Sequence, residues 1–188
     1  MFNFRKVDRT HDVATGTVIS ETWWKKGKLD RKDDPAIITR DAVSGIVTSE
    51  GWYKNGKRRD RTEGPAFISR DAATGAVTYE SWCDAATGIV TREIWSKDGK
   101  LNRTDGPALI EHDAATGTVI YEAWGKDGKL NRTDGPALIE RNAATGTVIY
   151  EAWFRDDRQI PPPARPAAPE KALRPYMPKP GCYADLNL

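Results

Sequence analysis

The chain has 188 residues, 30% of them charged and 38% hydrophobic, with 29 Lys and Arg against 27 Asp and Glu. That length suits one domain or a short repeat array, and a net charge of +2 is too small for bulk attraction to nucleic acid. No apolar run approaches the roughly 18 residues of a membrane helix. The opening Met1-Phe2-Asn3-Phe4-Arg5-Lys6 has no signal-type apolar stretch, and two cysteines, Cys83 and Cys182, make neither a disulfide framework nor a zinc knuckle. A soluble, cytoplasmic protein is expected.

Residues 1–11 read as an N-terminal strand or cap. From residue 12 to about 158 the sequence repeats itself. Full units cover 12–40, 41–70, 84–112 and 113–141, a truncated unit covers 71–83, and a partial unit starts at Asn142. The usual period is 29 residues. A Glu-x-Trp triplet recurs at Trp23, Trp52, Trp82, Trp95, Trp124 and Trp153.

Each unit predicts β-structure. Thr118–Trp124 is β-branched and aromatic, as strands are, and Ala137–Arg141 is a second strand. The Asp-Ala-Ala-Thr-Gly between such strands is a hairpin loop, in which Asp accepts backbone N–H groups and Gly takes a positive φ. Lys-Asp-Gly-Lys is a second tight turn. The proline of Gly-Pro-Ala, lacking a donor, belongs at a strand start or edge. The fold class is all-β: an elongated antiparallel β-meander of 29-residue units with a proline-rich C-terminal tail.

Taking Lys97-Asp98-Gly99 as a three-residue loop sets Trp95 opposite Leu101 and Glu93 opposite Arg103. The same count pairs Glu21 with Arg31 and Glu122 with Arg132, and a bulge at Arg58-Arg59 brings Arg61 to Glu50. A structural Glu–Arg ladder follows. So does a third short strand, Lys-Leu-Asn-Arg, in each unit. An odd strand number turns successive Trp residues to opposite faces. About fourteen strands at ~4.8 Å would make a sheet roughly 65 Å long.

Residues 159–188 differ in kind, with eight of the twelve prolines falling in 161–180. This predicts a polyproline or linker segment, with Tyr176, Met177, Tyr183 and Leu186 as anchors if it docks. Charge is also uneven. Residues 1–70 carry 15 basic and 10 acidic side chains, and residues 71–154 carry 8 and 13, so a basic end adjoins an acidic body.

The run Trp-x-Lys-Asp-Gly-Lys-Leu-Asn-Arg-Thr-Asp-Gly-Pro-Ala at 95–108 and 124–137 resembles the repeat of MORN-like proteins, closest to the antitoxin-like subgroup of bacteria and large viruses. The resemblance spans about residues 12–154. It implies an extended antiparallel meander that binds other proteins or lipid and catalyses nothing. It also implies two strands per unit, with Glu-Ala-Trp paired directly to Pro-Ala-Leu. Two departures stand out: the period exceeds the usual MORN unit, and Asp33-Asp34-Pro35 replaces Asp-Gly-Pro.

No catalytic, cofactor-binding or metal-ligating residue is assigned, and no cofactor is expected. His112 fills a slot held by Arg40, Arg70 and Arg141, a surface strand position. Cys83 occupies the packing slot after Trp. Each Gly-Lys pair is followed by Leu or Arg, not by the Ser or Thr of a phosphate loop, and calcium-loop spacing is missing. The expected function is protein binding, antitoxin- or immunity-like. Its contacts would be Trp52, Trp95, Trp124 and Trp153 on an exposed Trp face centred on Trp95 and Trp124. The partner is another protein or further copies of the chain; nucleic acid and membrane are not expected. Two alternatives compete: a structural component that self-associates or docks by its C-terminal arm, and anionic-surface binding through the basic N-terminal half.

Overall fold

A computed structural model describes residues 5–59 and 64–163. In chain order the strands are β1 (Arg5–His11), β2 (Val18–Lys25), β3 (Lys28–Leu29), β4 (Ile37–Arg40), β5 (Val47–Gly51), β6 (Tyr53–Lys54), β7 (Lys57–Arg58), β8 (Phe67–Arg70) and β9 (Val77–Cys83). They continue as β10 (Val90–Lys97), β11 (Lys100–Leu101), β12 (Leu109–His112), β13 (Val119–Ala123), β14 (Gly125–Lys126), β15 (Lys129–Leu130), β16 (Leu138–Arg141), β17 (Val148–Arg155) and β18 (Arg158–Ile160). The protein is all-β, and its centre is one antiparallel meander without crossovers. The order is β1-β2-β4-β5-β8-β9-β10-β12-β13-β16-β17-β18, with β3 and β11 attached to β2 and β10 to give 14 strands.

Two kinds of turn shape this sheet. The first is the Asp-x-x-Thr/Ser-Gly loop, seen at 12–16, 41–45, 71–75, 84–88 and 113–117, with Asn142 in the sixth copy. Asp113 Oδ1 accepts the amides of Ala115 and Thr116 at 3.1 and 2.8 Å and the Thr116 hydroxyl at 2.9 Å. Gly117, at φ 73°, donates its amide to the Asp113 carbonyl at 2.8 Å. The charged oxygen thus satisfies the loop's own donors, and only a residue tolerant of positive φ can close it.

The second kind makes a short hairpin arm after each tryptophan but Trp82. These arms are two-residue turns, not the three-residue loops expected from Lys-Asp-Gly. Lys97 pairs with Lys100 and Ser96 with Leu101, while Asp98 and Gly99 both have positive φ, 51° and 71°. Lys26-Gly27, Asn55-Gly56, Asp127-Gly128 and Asp156-Asp157 do the same. Two consecutive left-handed residues match the twist of the flanking strands. The expected register is therefore wrong by one, and Trp95 faces Asn102, whose amide reaches the Trp95 carbonyl at 3.0 Å. The expected third strand is this arm. β14–β15 and β6–β7 form separate ribbons, while Ala123 pairs directly with Leu138 and the Trp124 amide donates to the Ala137 carbonyl at 2.8 Å. Each full unit therefore gives two strands to the meander.

Direct pairing partners share a face, and residues alternate along a strand. One face carries the row Arg9, Glu21, Ile38, Glu50, Ile68, Glu80, Ile94, Leu109, Ala123, Leu138, Ala152. The other carries Thr22, Ile37, Gly51, Phe67, Ser81, Glu93, Ile110, Glu122, Ile139, Glu151. The alternating Glu/Ile pattern occupies the first face from Glu21 to Glu80 and the second from Glu93 to Glu151. The truncated unit causes this switch. It supplies a loop and one strand, β9, but no arm, so strand direction reverses while the strands still succeed one another in the same sense. Only a half-turn about the axis of succession relates the two halves, and it exchanges both faces and ends. Loop 84–88 accordingly lies against an arm of the first half, with Lys57 Nζ 3.5 Å from the Ala86 carbonyl. The expected alternation of Trp faces from unit to unit gives way to one exchange at β9.

The core is thin. The hydrophobic residues buried among those described are Ala36, Trp52, Ala66, Ile68, Cys83, Ala108, Ala123, Ala137, Ile139 and Ala152. Four of them are the alanines after proline, where successive arms crowd together. A Cβ on Gly125 would come within 2.9 Å of Leu101 Cβ and 3.3 Å of Ala108 Cβ, so neither site admits a large side chain. Arms also join each other along the sheet, Gly128 N donating to the Leu101 carbonyl and Arg103 N to the Gly125 carbonyl at 2.9 and 3.0 Å.

Candidate protein-binding surfaces

The tryptophans do not form a bare face. Trp52 is buried at 6% exposure, while Trp95, Trp124 and Trp153 are half-buried. The half-turn places the Glu and Trp side chains of 21–23, 50–52 and 80–82 on one face of the sheet and those of 93–95, 122–124 and 151–153 on the other. Three of the rings are capped by arginine eight residues on: Arg31 over Trp23 at 3.9 Å, and Arg103 over Trp95 and Arg132 over Trp124 at 3.8 Å. The exposed Trp face centred on Trp95 and Trp124 is thus replaced by guanidinium lids, because the two-residue turn stops each arginine one step short of the expected glutamate.

Each lid is held from several sides. Arg132 Nε meets Asp134 Oδ1 at 2.9 Å, and Nη1 donates to the Pro136 carbonyl at 3.1 Å. Arg103 repeats this with Asp105 and Pro107 at 2.9 and 3.2 Å. The arginine hydrogen bond is the main reason the carboxyls of Asp105 and Asp134 stay below the usual carboxylate range. A Cβ on Gly135 would lie 2.9 Å from Arg132 Cζ, so the guanidinium is sandwiched between indole and bare backbone. In the first unit Asp34 stands in the glycine slot and itself binds Arg31 at 2.8 Å. Beyond Trp153 the corresponding position is Pro161.

The glutamates of the expected ladder have different partners. Glu21 pairs with Arg40 at 3.4 Å, Glu50 with Arg70 at 2.6 Å and Glu122 with Arg141 at 2.8 Å. The pairs Glu21–Arg31, Glu93–Arg103 and Glu122–Arg132 do not form. Arg61, expected opposite Glu50, lies outside the described residues, as do Tyr176, Met177, Tyr183 and Leu186. Glu93 faces His112, whose Nε2 is 3.8 Å from the carboxylate, too far for a hydrogen bond. His112 is therefore the histidine form of an arginine rung.

At the exchange point Phe67, Tyr79 and Trp95 form a cluster with centroid separations of 6.0 and 4.9 Å, and Tyr79 donates to Glu93 at 2.8 Å. Burial pushes the Tyr79 hydroxyl above its usual range. An open cleft beside the cluster lies between loop 71–76 and the arm around Lys97, Asn102 and Arg103.

The two ends of the meander contrast. β1 presents Arg5, Lys6, Asp8 and Arg9 along an exposed strand. β17 presents Val148, Ile149 and Tyr150 at 43, 64 and 46% exposure. Val148, Ile149 and Tyr150 are not among the contact residues expected from the sequence. The signal was present: the unit that starts at Asn142 loses the repeat pattern after Trp153.

Among the described residues, no group of three His, Cys, Asp or Glu side chains could hold a metal ion, and no helix is long and apolar enough to cross a membrane. No family model, curated protein or solved structure matches the chain.

Proposed function

We propose that this protein is a non-enzymatic protein-binding scaffold, a MORN-like array of 29-residue β-units. The observation that carries this reading is the far end of the sheet, where among the described residues Val148, Ile149 and Tyr150 of β17 stand in solvent and only Trp153–Arg155 of that strand pair with β18. Native sheets commonly blunt such edges with charge or cover, as β1 does with its basic residues. An apolar edge exposed among the described residues fits a surface meant for contact. The capped tryptophans supply rigidity to the array, not its contact area. Antitoxin- or immunity-type binding is the form of this function that the MORN-like resemblance suggests.

The test is affinity capture with the full chain, comparing wild type with Ile149→Lys and Tyr150→Asp after circular dichroism has shown both to be folded. A specific protein retained by wild type and lost with both variants supports the reading. Equal capture by all three, or no specific protein, overturns it.

A second reading, binding to an anionic surface, rests on the stacking of the first two arms. Gly56 N donates to the Leu29 carbonyl at 2.8 Å, and a Cβ on Gly56 would lie 3.6 Å from Lys28 Cβ, so the turns carrying Lys25, Lys26, Lys28, Lys54 and Lys57 stack on one another in the first half. Binding to anionic vesicles that falls steeply with salt would support it.

A further inference from the structure

β17 is a copy of β13 that, among the described residues, lacks an outer neighbour along Tyr150–Ala152. Residues 148–153 read Val-Ile-Tyr-Glu-Ala-Trp, identical to 119–124. On β13 the outer edge holds β16, with Tyr121 opposite Glu140, Glu122 opposite Ile139 and Ala123 opposite Leu138. The Trp124 amide donates across it to the Ala137 carbonyl at 2.8 Å. Backbone groups two residues apart on a strand point the same way, so Glu122 also faces β16. By the same alternation Glu151 directs its amide away from β16, out of the sheet, while Trp153, facing the same way, is paired with Ile160 of β18. Among the described residues β17 has β16 on one side, and on the other only β18, paired with Trp153–Arg155. Tyr150–Ala152 have no outer strand there. Val119, Ile120 and Tyr121 are half-buried where their counterparts on β17 are exposed.

We propose that this edge binds an extended segment of another protein by strand addition, and that the segment carries the pattern of β16. Over Tyr150–Ala152 the same sequence on an open edge selects an equivalent mate, led in by Pro-Ala: a branched aliphatic opposite Ala152, an isoleucine opposite Glu151 and an acid opposite Tyr150. Main-chain hydrogen bonds supply affinity, and the alternating side chains supply selectivity. The isoleucine covers the stem of Glu151, as Ile139 does on the inner side. The proline needs no ladder donor and sits at the strand start, as Pro136 does. This inference rests on the scaffold reading and names the partner's chemistry.

The experiment titrates full-length protein with a capped peptide of the sequence Gly-Pro-Ala-Leu-Ile-Glu-Arg, that of residues 135–141, followed by amide NMR. Saturable binding is expected, with shifts concentrated at Tyr150–Trp153. The same peptide methylated on its isoleucine nitrogen should bind roughly tenfold or more weakly, having lost a ladder donor. That control leaves the protein unaltered, so a folding defect cannot imitate the result. No saturation at millimolar peptide, equal binding of the methylated peptide, or shifts confined to another region would overturn the proposal. A homodimer through β17 that the peptide fails to displace would overturn it in favour of a second copy. Peptide binding without any captured protein would remove the scaffold reading alone, and a captured partner without peptide binding would remove this one alone.

Discussion

Replacing Gly135 by alanine separates the guanidinium sandwich from ordinary turn behaviour by the sign of its effect. Gly135 does not have a positive φ, so alanine should stabilise the chain by about 0.4–1 kcal/mol through the unfolded state. The structure predicts the opposite. The new Cβ would stand 2.9 Å from Arg132 Cζ and 3.1 Å from Nε and Nη2, and the guanidinium cannot swing aside without leaving Trp124 and the Pro136 carbonyl. The stacked cation contributes about 0.5–2 kcal/mol, and a hydrogen bond to a charged group about 1.5–3 kcal/mol. Asp134 is 78% exposed, so its ion pair adds little. With partial retention of these contacts and the alanine gain subtracted, the net loss is about 2 kcal/mol. For a chain of this size that lowers Tm by roughly 4–8 °C. Thermal melting of wild type, Gly135→Ala, Arg132→Ala and the double variant forms the assay. In the Arg132→Ala background the glycine substitution should become neutral or stabilising. A single Gly135→Ala variant that melts at or above wild type would refute the sandwich.

Other consequences follow from the rungs and loops. His112→Arg should complete the Glu93 rung and raise stability by up to about 1 kcal/mol, a gain that shrinks in high salt; no change on melting would show that the slot does not act as a rung. Glu122→Gln keeps the shape but weakens the contacts from Arg141 at 2.8 and 3.3 Å, so melting should report a loss of about 1 kcal/mol. Asp12, Asp41, Asp71 and Asp84 have carboxyls held low chiefly by a backbone amide three residues on, and Asp113 chiefly by the Thr116 hydroxyl. A depressed folded pKa contributes stability above the ordinary value of 3.8, lost as pH falls below it through the folded pKa. Melting temperature should therefore drop as pH is lowered past that value, and Asp113→Asn, imitating Asn142, should make the drop shallower.

Much of this molecule was legible from residue types acting locally. The Asp-x-x-Thr-Gly loops follow from one acceptor side chain and one glycine, and the all-β class from β-branched runs between such loops. Register was harder, because Lys-Asp-Gly-Lys fits a two- or a three-residue turn, and the difference of one moves every later residue to the other face. Asp-Gly, Asn-Gly and Lys-Gly at the turn centres were the signal for two. That single step decided whether Arg132 met Glu122 or stacked on Trp124. It also hid Arg40, Arg70 and Arg141, whose role appears only once strands from different parts of a unit are side by side. The half-turn needed only the count of strands in residues 71–83, and it went unread because a shortened unit looks like a deletion and not like a reversal.

That reversal is tested most directly by cross-linking across β9 and β10. In a background of Cys83→Ala and Cys182→Ser, one variant pairs Ser81→Cys with Glu93→Cys, and another pairs Glu80→Cys with Glu93→Cys. Ser81 and Glu93 are directly opposite, whereas Glu80 is opposite Ile94 and so lies on the other face from Glu93. Oxidation should join the first pair readily and leave the second as thiols. Ready closure of the Glu80→Cys/Glu93→Cys pair, with the other left open, would place all six Glu-x-Trp strands on one face and contradict the half-turn.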